Sequence, residues 1–308
     1  MNNIIHIACA ADNSYAQHLG VMITSLCENN RDQKLHIHFF SVDFSPDNLQ
    51  SVRKLLNQYN MVFSFHPIHP NDVEGFFISH HVSTATYYRL LMPSILSNNI
   101  EKLLYLDADM IITKSVIDLW KTNVDDHIIA AIQEPTFNHN ERLGLFSNSL
   151  YFNAGVLLIN LKAWRKNNIT SLLVDYIRKQ NAKLLFWDQD ALNAILFASW
   201  LPIKPKWNQQ SAFWEKDINT LLQCYSPNDL LEALNDPCII HYTGSSKPWD
   251  YLSCHPRKHI YWKYLRISNW REFRYPNISI IDRVKKIILF LFSPFTKRKI
   301  LIYFHLGI

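Results

Sequence analysis

Lys102-Leu103-Leu104-Tyr105-Leu106-Asp107-Ala108-Asp109-Met110-Ile111-Ile112-Thr113 is the stretch from which the fold can be read. It is apolar on both sides, as a buried strand is, yet it carries two carboxylates one residue apart. Side chains alternate along a strand, so Asp107 and Asp109 leave its exit on the same face. Two like charges side by side repel unless a cation sits between them. The combination suits a divalent cation at the carboxyl end of a central strand, where open α/β sheets hold their ligands. Hard oxygen donors favour Mg²⁺ or Mn²⁺ over zinc. An acidic surface turn fits the Asp-x-Asp tripeptide equally well, and the motif alone leaves both open.

The chain on the N-terminal side supports the sheet. Ile4–Ala10 reads as a strand running into the polar loop Ala11-Asp12-Asn13-Ser14, and a helix follows over about 15–29. Leu35–Val42 and Met61–His66 are further strands, separated by a helix that Ser45-Pro46-Asp47 opens and that extends to about Tyr59. Strands alternating with helices imply βαβ units and a largely parallel sheet. His36 and His38 share one strand face, and satisfied strand histidines are expected there rather than ligands. Ser83 or Thr84 caps a helix through Leu91 that carries Arg89, whose guanidinium suits a phosphate or carboxylate; a salt bridge pinning the helix to the sheet is the plainer role.

Beyond the acidic pair, Phe137–Phe152 reads as an active-site loop and Val156–Asn160 as a buried strand. The strand's approach, Asn153-Ala154-Gly155, is small and polar where bulk is expected, which suggests close approach by a ligand. Trp187-Asp188-Gln189-Asp190 precedes an apolar helix over Ala191–Phe197, and the acids also suit its N-cap and first turn. Near the end of the main body, Cys238–His241 is a short strand followed by Tyr242-Thr243-Gly244-Ser245-Ser246-Lys247-Pro248-Trp249. A histidine at a strand end, then a glycine loop and a lysine, makes a plausible anion cradle with one nitrogen ligand.

Composition bounds the rest. With 308 residues, 48% of them hydrophobic and 13% aromatic, the chain has the apolar mass for a large core and is no disordered protein. Its net charge of +5 is uneven: from His255 onwards twelve Lys and Arg face only Glu272 and Asp282, so the preceding body is net acidic. The aromatic and basic segment 256–308 therefore suits an anionic membrane surface, with docking onto the body as the alternative. A nucleic-acid partner is not expected beside an acidic body. The five cysteines, 9, 27, 224, 238 and 254, contain no Cys-x-x-Cys pair and suggest neither disulfides nor zinc, with Cys9 and Cys27 buried. The N-terminus has no signal-peptide pattern and the apolar run Ile287–Phe292 is far too short to span a bilayer, so a cytoplasmic protein attached peripherally to the inner membrane is expected.

Taken together, these motifs resemble the retaining glycosyltransferases of family 8, most closely the bacterial galactosyl- and glucosyltransferases of lipopolysaccharide or lipooligosaccharide synthesis. Ala11-Asp12, His81–Arg89, Tyr105–Asp109, Tyr151–Trp164, Asp188-Gln189-Asp190 and His241–Trp249 carry the resemblance, in family order, across roughly residues 4–255. It implies a glycosyltransferase A-type (Rossmann-like) α/β fold with a mostly parallel sheet, a catalytic domain over 1–255, a UDP-hexose donor, a saccharide or glycolipid acceptor, and Mn²⁺, with Mg²⁺ as the other candidate. Asp107, Asp109 and His241 would hold the metal. Ala10, Ala11, Asp12 and Ser14 would lie at the nucleoside end, Arg89 and Ala108 near the donor, and Gly244 and Lys247 at the diphosphate. Asn153, Ala154, Gly155, Asp188 and Gln189 would surround the transferred sugar, the last two being catalytic. Ser14 is a departure, because the family pattern has asparagine there.

The resemblance implies retention of configuration, either through a covalent intermediate on Asp188 or by same-face attack with Gln189 stabilising the sugar cation; the same-face route is preferred here. Galactose is the favoured sugar and glucose the second. The loop 137–149 and the segment 207–219, with Trp207, Gln209, Phe213 and Trp214, are expected acceptor contacts, with ordinary packing as the alternative. A metal-dependent sugar-nucleotide hydrolase or nucleotidyltransferase, or a non-catalytic sugar-nucleotide-binding protein, is the competing function.

Overall fold

Ile5, Ile7 and Cys9 are buried on one side of the first strand, Ala8 and Ala10 on the other, so both faces of the sheet must be covered. The computed structural model describes residues 4–76, 83–135, 140–180, 183–275 and 278–292. Its strands are β1 (Ile4–Ala10), β2 (Lys34–Ser41), β3 (Val62–Pro67), β4 (Lys102–Leu106), β5 (Met110–Ile112), β6 (Ile129–Gln133), β7 (Phe152–Asn160), β8 (Trp200–Pro202), β9 (Gln209–Gln210) and β10 (Ile239–His241). Seven of them form one sheet in the order β3-β2-β1-β4-β7-β6-β8. The pairs β3–β2, β2–β1, β1–β4 and β6–β8 are parallel, and β7 alone runs against its neighbours. The mostly parallel α/β sheet expected from the sequence is therefore present.

The anticipated helices appear at Ala16–Glu28 and Pro46–Gln58, and a further one lies at Ile169–Gln180. Ser45 caps the second of these, its Oγ accepting from the Asn48 N–H at 3.3 Å, with Pro46 in the first turn. The segment expected to be one helix to Leu91 divides into a 3₁₀ turn, Thr84–Tyr87, and a helix, Tyr88–Ile95. The helix expected from Ala191 starts earlier, at Trp187, so Asp188 and Asp190 lie within its first turn. A second sheet, β5-β10-β9, was not foreseen; it pairs the strand that follows the aspartates with the strand that ends at His241. Pairing of His241 with Met110 sets the strand end carrying the histidine beside the loop carrying Asp109.

β7 reaches further back than expected and takes in Asn153-Ala154-Gly155. Its register with β6 jumps between Ala130 and Ile132, a bulge beside those three residues. The cysteines are free thiols, and Cys9 and Cys27 are buried as expected.

The segment after residue 255 divides in two. Helix Lys258–Ile267 docks on the body through Tyr261, Tyr264 and Leu265, which share a core with Val21, Ile111, Ile240 and Tyr242. Trp270 lies so close over Gly20 that a Cβ there would come within 2.0 Å of its ring. Helix Ile280–Phe292 instead exposes Ile280, Ile281, Val284, Ile287, Ile288 and Leu291. The basic cluster Thr296–Lys299 lies outside the described residues, as do His81, Val82 and positions 137–139 of the expected loop.

Candidate metal and nucleotide-sugar site

The two aspartates lie in the turn between β4 and β5, held by a hydrogen bond from the Asp107 N–H to Gly155 O at 3.0 Å and one from the Tyr242 N–H to Asp109 O at 3.1 Å. Each carboxylate gives one oxygen to a protein cation and turns the other toward His241. Asp107 Oδ1 lies 2.9 Å from Arg89 and accepts from the Tyr105 hydroxyl at 2.6 Å, while Oδ2 lies 3.7 Å from His241 Nε2. Asp109 Oδ2 accepts from Lys247 Nζ at 2.6 Å, while Oδ1 lies 3.2 Å from the same Nε2. Burial alone would raise the Asp109 pKa, but Lys247 and His241 outweigh it and hold the carboxyl well below the usual carboxylate range.

The imidazole is fixed from behind. The Gly155 N–H donates to Asn153 Oδ1 at 3.0 Å, so that oxygen is an acceptor. Asn208 Nδ2 donates to it at 2.9 Å, which turns Asn208 Oδ1 toward His241 Nδ1, 3.0 Å away. Nδ1 therefore carries a proton, and Nε2 faces the two inner carboxylate oxygens. A metal-binding histidine needs this kind of outer partner. Gly155 also makes room for the ring: a Cβ there would lie 2.3 Å from His241 Cε1. The close approach expected at Asn153-Ala154-Gly155 is thus made by a protein side chain.

Asp107, Asp109 and His241 each offer one ligand atom, and these atoms lie within 4.8 Å of one another. Two carboxylate oxygens with one oriented imidazole nitrogen fit a divalent cation of the Mg²⁺ or Mn²⁺ class. The residues present therefore match the group that the sequence implied.

Arg89 is buried and joins this site to Asp188. Besides Asp107 it reaches Ala154 O through NH1 at 2.5 Å, and its guanidinium stacks over Tyr105, 4.5 Å from the ring centre. Its Nε lies 2.9 Å from Asp188 Oδ2 but directs its hydrogen to Thr86 O at 3.0 Å, so Asp188 Oδ2 has a charge contact without a hydrogen bond. The phosphate-facing role considered for Arg89 gives way here to holding two carboxylates. Asp188 also accepts from the Thr86 hydroxyl. Burial raises its pKa to about 6 against the opposing pull of Arg89 and Thr86. Trp187, immediately before it, has φ +45°, a strained value for a bulky residue.

Gln189 turns inward: Oε1 accepts from the Ala154 N–H at 2.9 Å and Nε2 donates to the Tyr151 hydroxyl at 3.3 Å. Asp190 has the structural role considered for it, accepting from the Leu185 and Phe186 N–H groups, Arg142 and Tyr151. Arg142 thereby anchors the described part of the 140–149 loop. Asp12 caps the turn Asn13–Tyr15, and Ser14 donates to the same Oδ1 at 2.5 Å. Ala10 and Ala11 are buried at the exit of β1, and Ala108 is buried between the aspartates. Gly244, at φ +76°, makes the turn that lets Lys247 fold back onto Tyr242 O and Asp109. Two of the three ammonium donors are spent there, leaving one for an anion.

Trp207, Phe213 and Trp214 are buried in the main core, which corrects their assignment to an acceptor surface. Several contributors were missed. Thr86 and Tyr105 lay inside the quoted motifs without being singled out. Tyr15, edge-on to Trp249, sits in the field of Asp109, Asp12 and Asp107 and directly follows Ser14. Asn208 had no local signal.

Residues 6–253 match the profile described as Glycosyl transferase family 8. General stress protein A of Bacillus subtilis is 30% identical over 292 residues, covering 90% of this chain and 99% of that protein. A lipopolysaccharide 1,2-glucosyltransferase of Escherichia coli is 28% identical over 285 residues, covering 88% of this chain and 80% of that protein. The crystal structure of the galactosyltransferase LgtC with donor and acceptor sugar analogues superposes with a TM-score of 0.77 at 24% identity, covering 91% of this chain and all of that one. The glycosyltransferase A-type fold is thereby shown.

Proposed function

The chain belongs to glycosyl transferase family 8, and from that premise we propose that it transfers a hexose from a UDP-sugar to a saccharide of lipopolysaccharide or lipooligosaccharide. As a member it moves a sugar from a nucleotide-sugar donor to an acceptor. The finer assignments are galactose ahead of glucose, retention of configuration, and Mn²⁺ ahead of Mg²⁺. Those rest on the family resemblance; the observation that carries the metal-assisted nucleotide-sugar reading is the convergence of Asp107 Oδ2, Asp109 Oδ1 and His241 Nε2 beside Lys247.

When bound, the cation supplies positive charge against the departing diphosphate. The side chains do the remaining work. Lys247, positioned by the Gly244 turn, offers its third N–H to the phosphates. Asp12 and Ser14 define the nucleoside end. Asp188 Oδ2 is buried and lacks a hydrogen-bond donor, which suits a hydroxyl of the transferred sugar. Arg89 keeps that carboxylate in place while also orienting Asp107, so leaving-group and sugar subsites share one guanidinium. Gln189 is oriented by the Ala154 N–H, and its amide oxygen keeps a second lone pair for the sugar cation in the same-face route, in which the acceptor proton passes to the leaving phosphate. Trapping a glycosyl adduct on Asp188 would overturn that route.

Residues 1–255 are proposed as the catalytic region and 256–308 as a tail whose first part, through Trp270, docks on that region and whose helix Ile280–Phe292 meets the cytoplasmic face of the inner membrane. The apolar exposure of helix Ile280–Phe292, with Arg283 and Lys285 beside it, supports this. Among the described residues no helix is long and apolar enough to cross a membrane. The test of function is UDP release from UDP-galactose and UDP-glucose, with and without acceptor and Mn²⁺. Release that needs both supports the transferase. Release without acceptor would mean a hydrolase, and metal-dependent UDP binding without release would mean a binding protein.

A further inference from the structure

Four histidines lie on one sheet face, in a row that runs obliquely across its first strands: His6 near the amino end of β1, His36 and His38 on β2, and His66 near the carboxyl end of β3. His6 and His36 are direct register partners. His6 Nδ1 lies 3.0 Å from His38 Nε2, and one nitrogen each of His6, His36 and His38 falls within 4.8 Å of the others. Two nitrogens on a tetrahedral zinc ion with bonds of about 2.05 Å stand about 3.3 Å apart. Little movement is therefore needed to admit an ion between these rings.

The rings are braced from the edge strand. His38 Nδ1 lies 3.1 Å from His66 Nε2, and His36 Nε2 lies 2.8 Å from Ser64 Oγ. The rings of His36 and His38 stack at 4.0 Å. His38 is buried, and His6 and His36 are half-buried, so the cluster remains open to solvent on one side.

We propose that His6, His36 and His38 form a second divalent-metal site, for a nitrogen-preferring first-row ion of the zinc class. The set contains no carboxylate, so Mg²⁺ and Mn²⁺ are poor guests, whereas imidazole suits zinc. Occupancy needs one tautomer, in which the Nδ1–H of His38 donates to His66 and bares Nε2 toward the ion. His66 thereby plays the outer role that Asn208 plays for His241. The ion staples β1 to β2. His6 lies four residues before Ala10, and His38 pairs with Ala8, two residues before it, so these ligands stand back from the strand exit by roughly 13 and 7 Å at ~3.3 Å per residue. The role is accordingly structural, and it does not depend on the transferase assignment.

The experiment counts Zn²⁺ bound by the metal-free full chain against a chromophoric chelator and follows the melting temperature. Asp109→Asn is expected to keep one tightly held equivalent, to show the absorption of tetrahedral imidazole-bound Co²⁺ when Co²⁺ replaces Zn²⁺, and to melt several degrees higher with Zn²⁺. His36→Asn and, independently, His6→Gln are expected to lose one equivalent relative to wild type, together with the zinc-dependent rise in melting temperature. Equal stoichiometry in wild type and in either folded variant would overturn the site and leave a hydrogen-bonded row of imidazoles. Should both variants fail to fold, absence of the Co²⁺ signal in Asp109→Asn overturns it equally.

Discussion

Asn208 holds its amide oxygen 3.0 Å from His241 Nδ1, and that contact decides which imidazole nitrogen faces the aspartates. Removing it in Asn208→Ala releases the tautomer while leaving all three ligands in place. Affinity for Mn²⁺ should fall about 10–100-fold, the usual effect of losing an outer partner. Titration of the free protein with Mn²⁺, followed by its electron paramagnetic resonance, measures this. Unchanged affinity would show that packing alone orients the ring.

Gly155→Ala attacks the same ring sterically. The added methyl would stand 2.3 Å from His241 Cε1 and 2.8 Å from Nδ1, so the imidazole must move. Overpacking of this kind costs about 1–3 kcal/mol. Metal binding and turnover should both be largely lost, with a modest fall in denaturation midpoint. Wild-type Mn²⁺ affinity in a folded Gly155→Ala protein would contradict the geometry.

Arg89 is a buried cation in contact with both Asp107 and Asp188. Arg89→Ala leaves both carboxylates without it, and loss of one partner of a buried pair costs about 3–5 kcal/mol. Urea denaturation should register that loss, and turnover should fall with it. Arg89→Lys should recover part of the stability but little activity, because one ammonium cannot make the separate Nε, NH1 and NH2 contacts.

Asp188 has its carboxyl raised to about 6, chiefly by burial. If the ionised form orients the sugar, kcat/KM should decline as pH falls through about 6 and be flat just above it. The Thr86 hydroxyl favours the ionised form, so Thr86→Ala should move this limb to higher pH. A limb that stays in place in Thr86→Ala would assign it to another group.

Deleting residues 280–308 removes the exposed apolar helix but keeps Tyr261, Tyr264 and Trp270, which pack on the body. The shortened protein should retain turnover on a soluble acceptor and lose sedimentation with anionic vesicles. Retained vesicle binding would move the membrane contact to the docked segment 258–275.

The strands β1, β2 and β4 and the acidic pair were legible because burial on both faces leaves an apolar pattern that turn residues interrupt, whereas the half-buried edge strand β3 showed by its place after a capped helix. The reversal of β7 was not legible, since apolar strands of either direction look alike when both faces are covered. The 207–219 aromatics were misassigned for a related reason: Trp207, Phe213 and Trp214 have the composition of a sugar-binding surface and of a core alike, and only the packing distinguishes the two. His36 and His38 showed their shared face but not His6 and His66, which neighbouring strands supply.

By itself, then, the sequence determined the fold family and the residue types of the site, since periodicity and motif order are local properties of the chain. The tertiary structure decided what those residues do to one another. Arg89 turned from a candidate phosphate ligand into the tie between Asp107 and Asp188, and Gly155 from a ligand contact into the space for His241. Asn208, 33 residues before His241, became part of the metal site. Orientation of an imidazole depends on which groups meet it across strands, and such meetings are products of folding rather than of spacing along the chain.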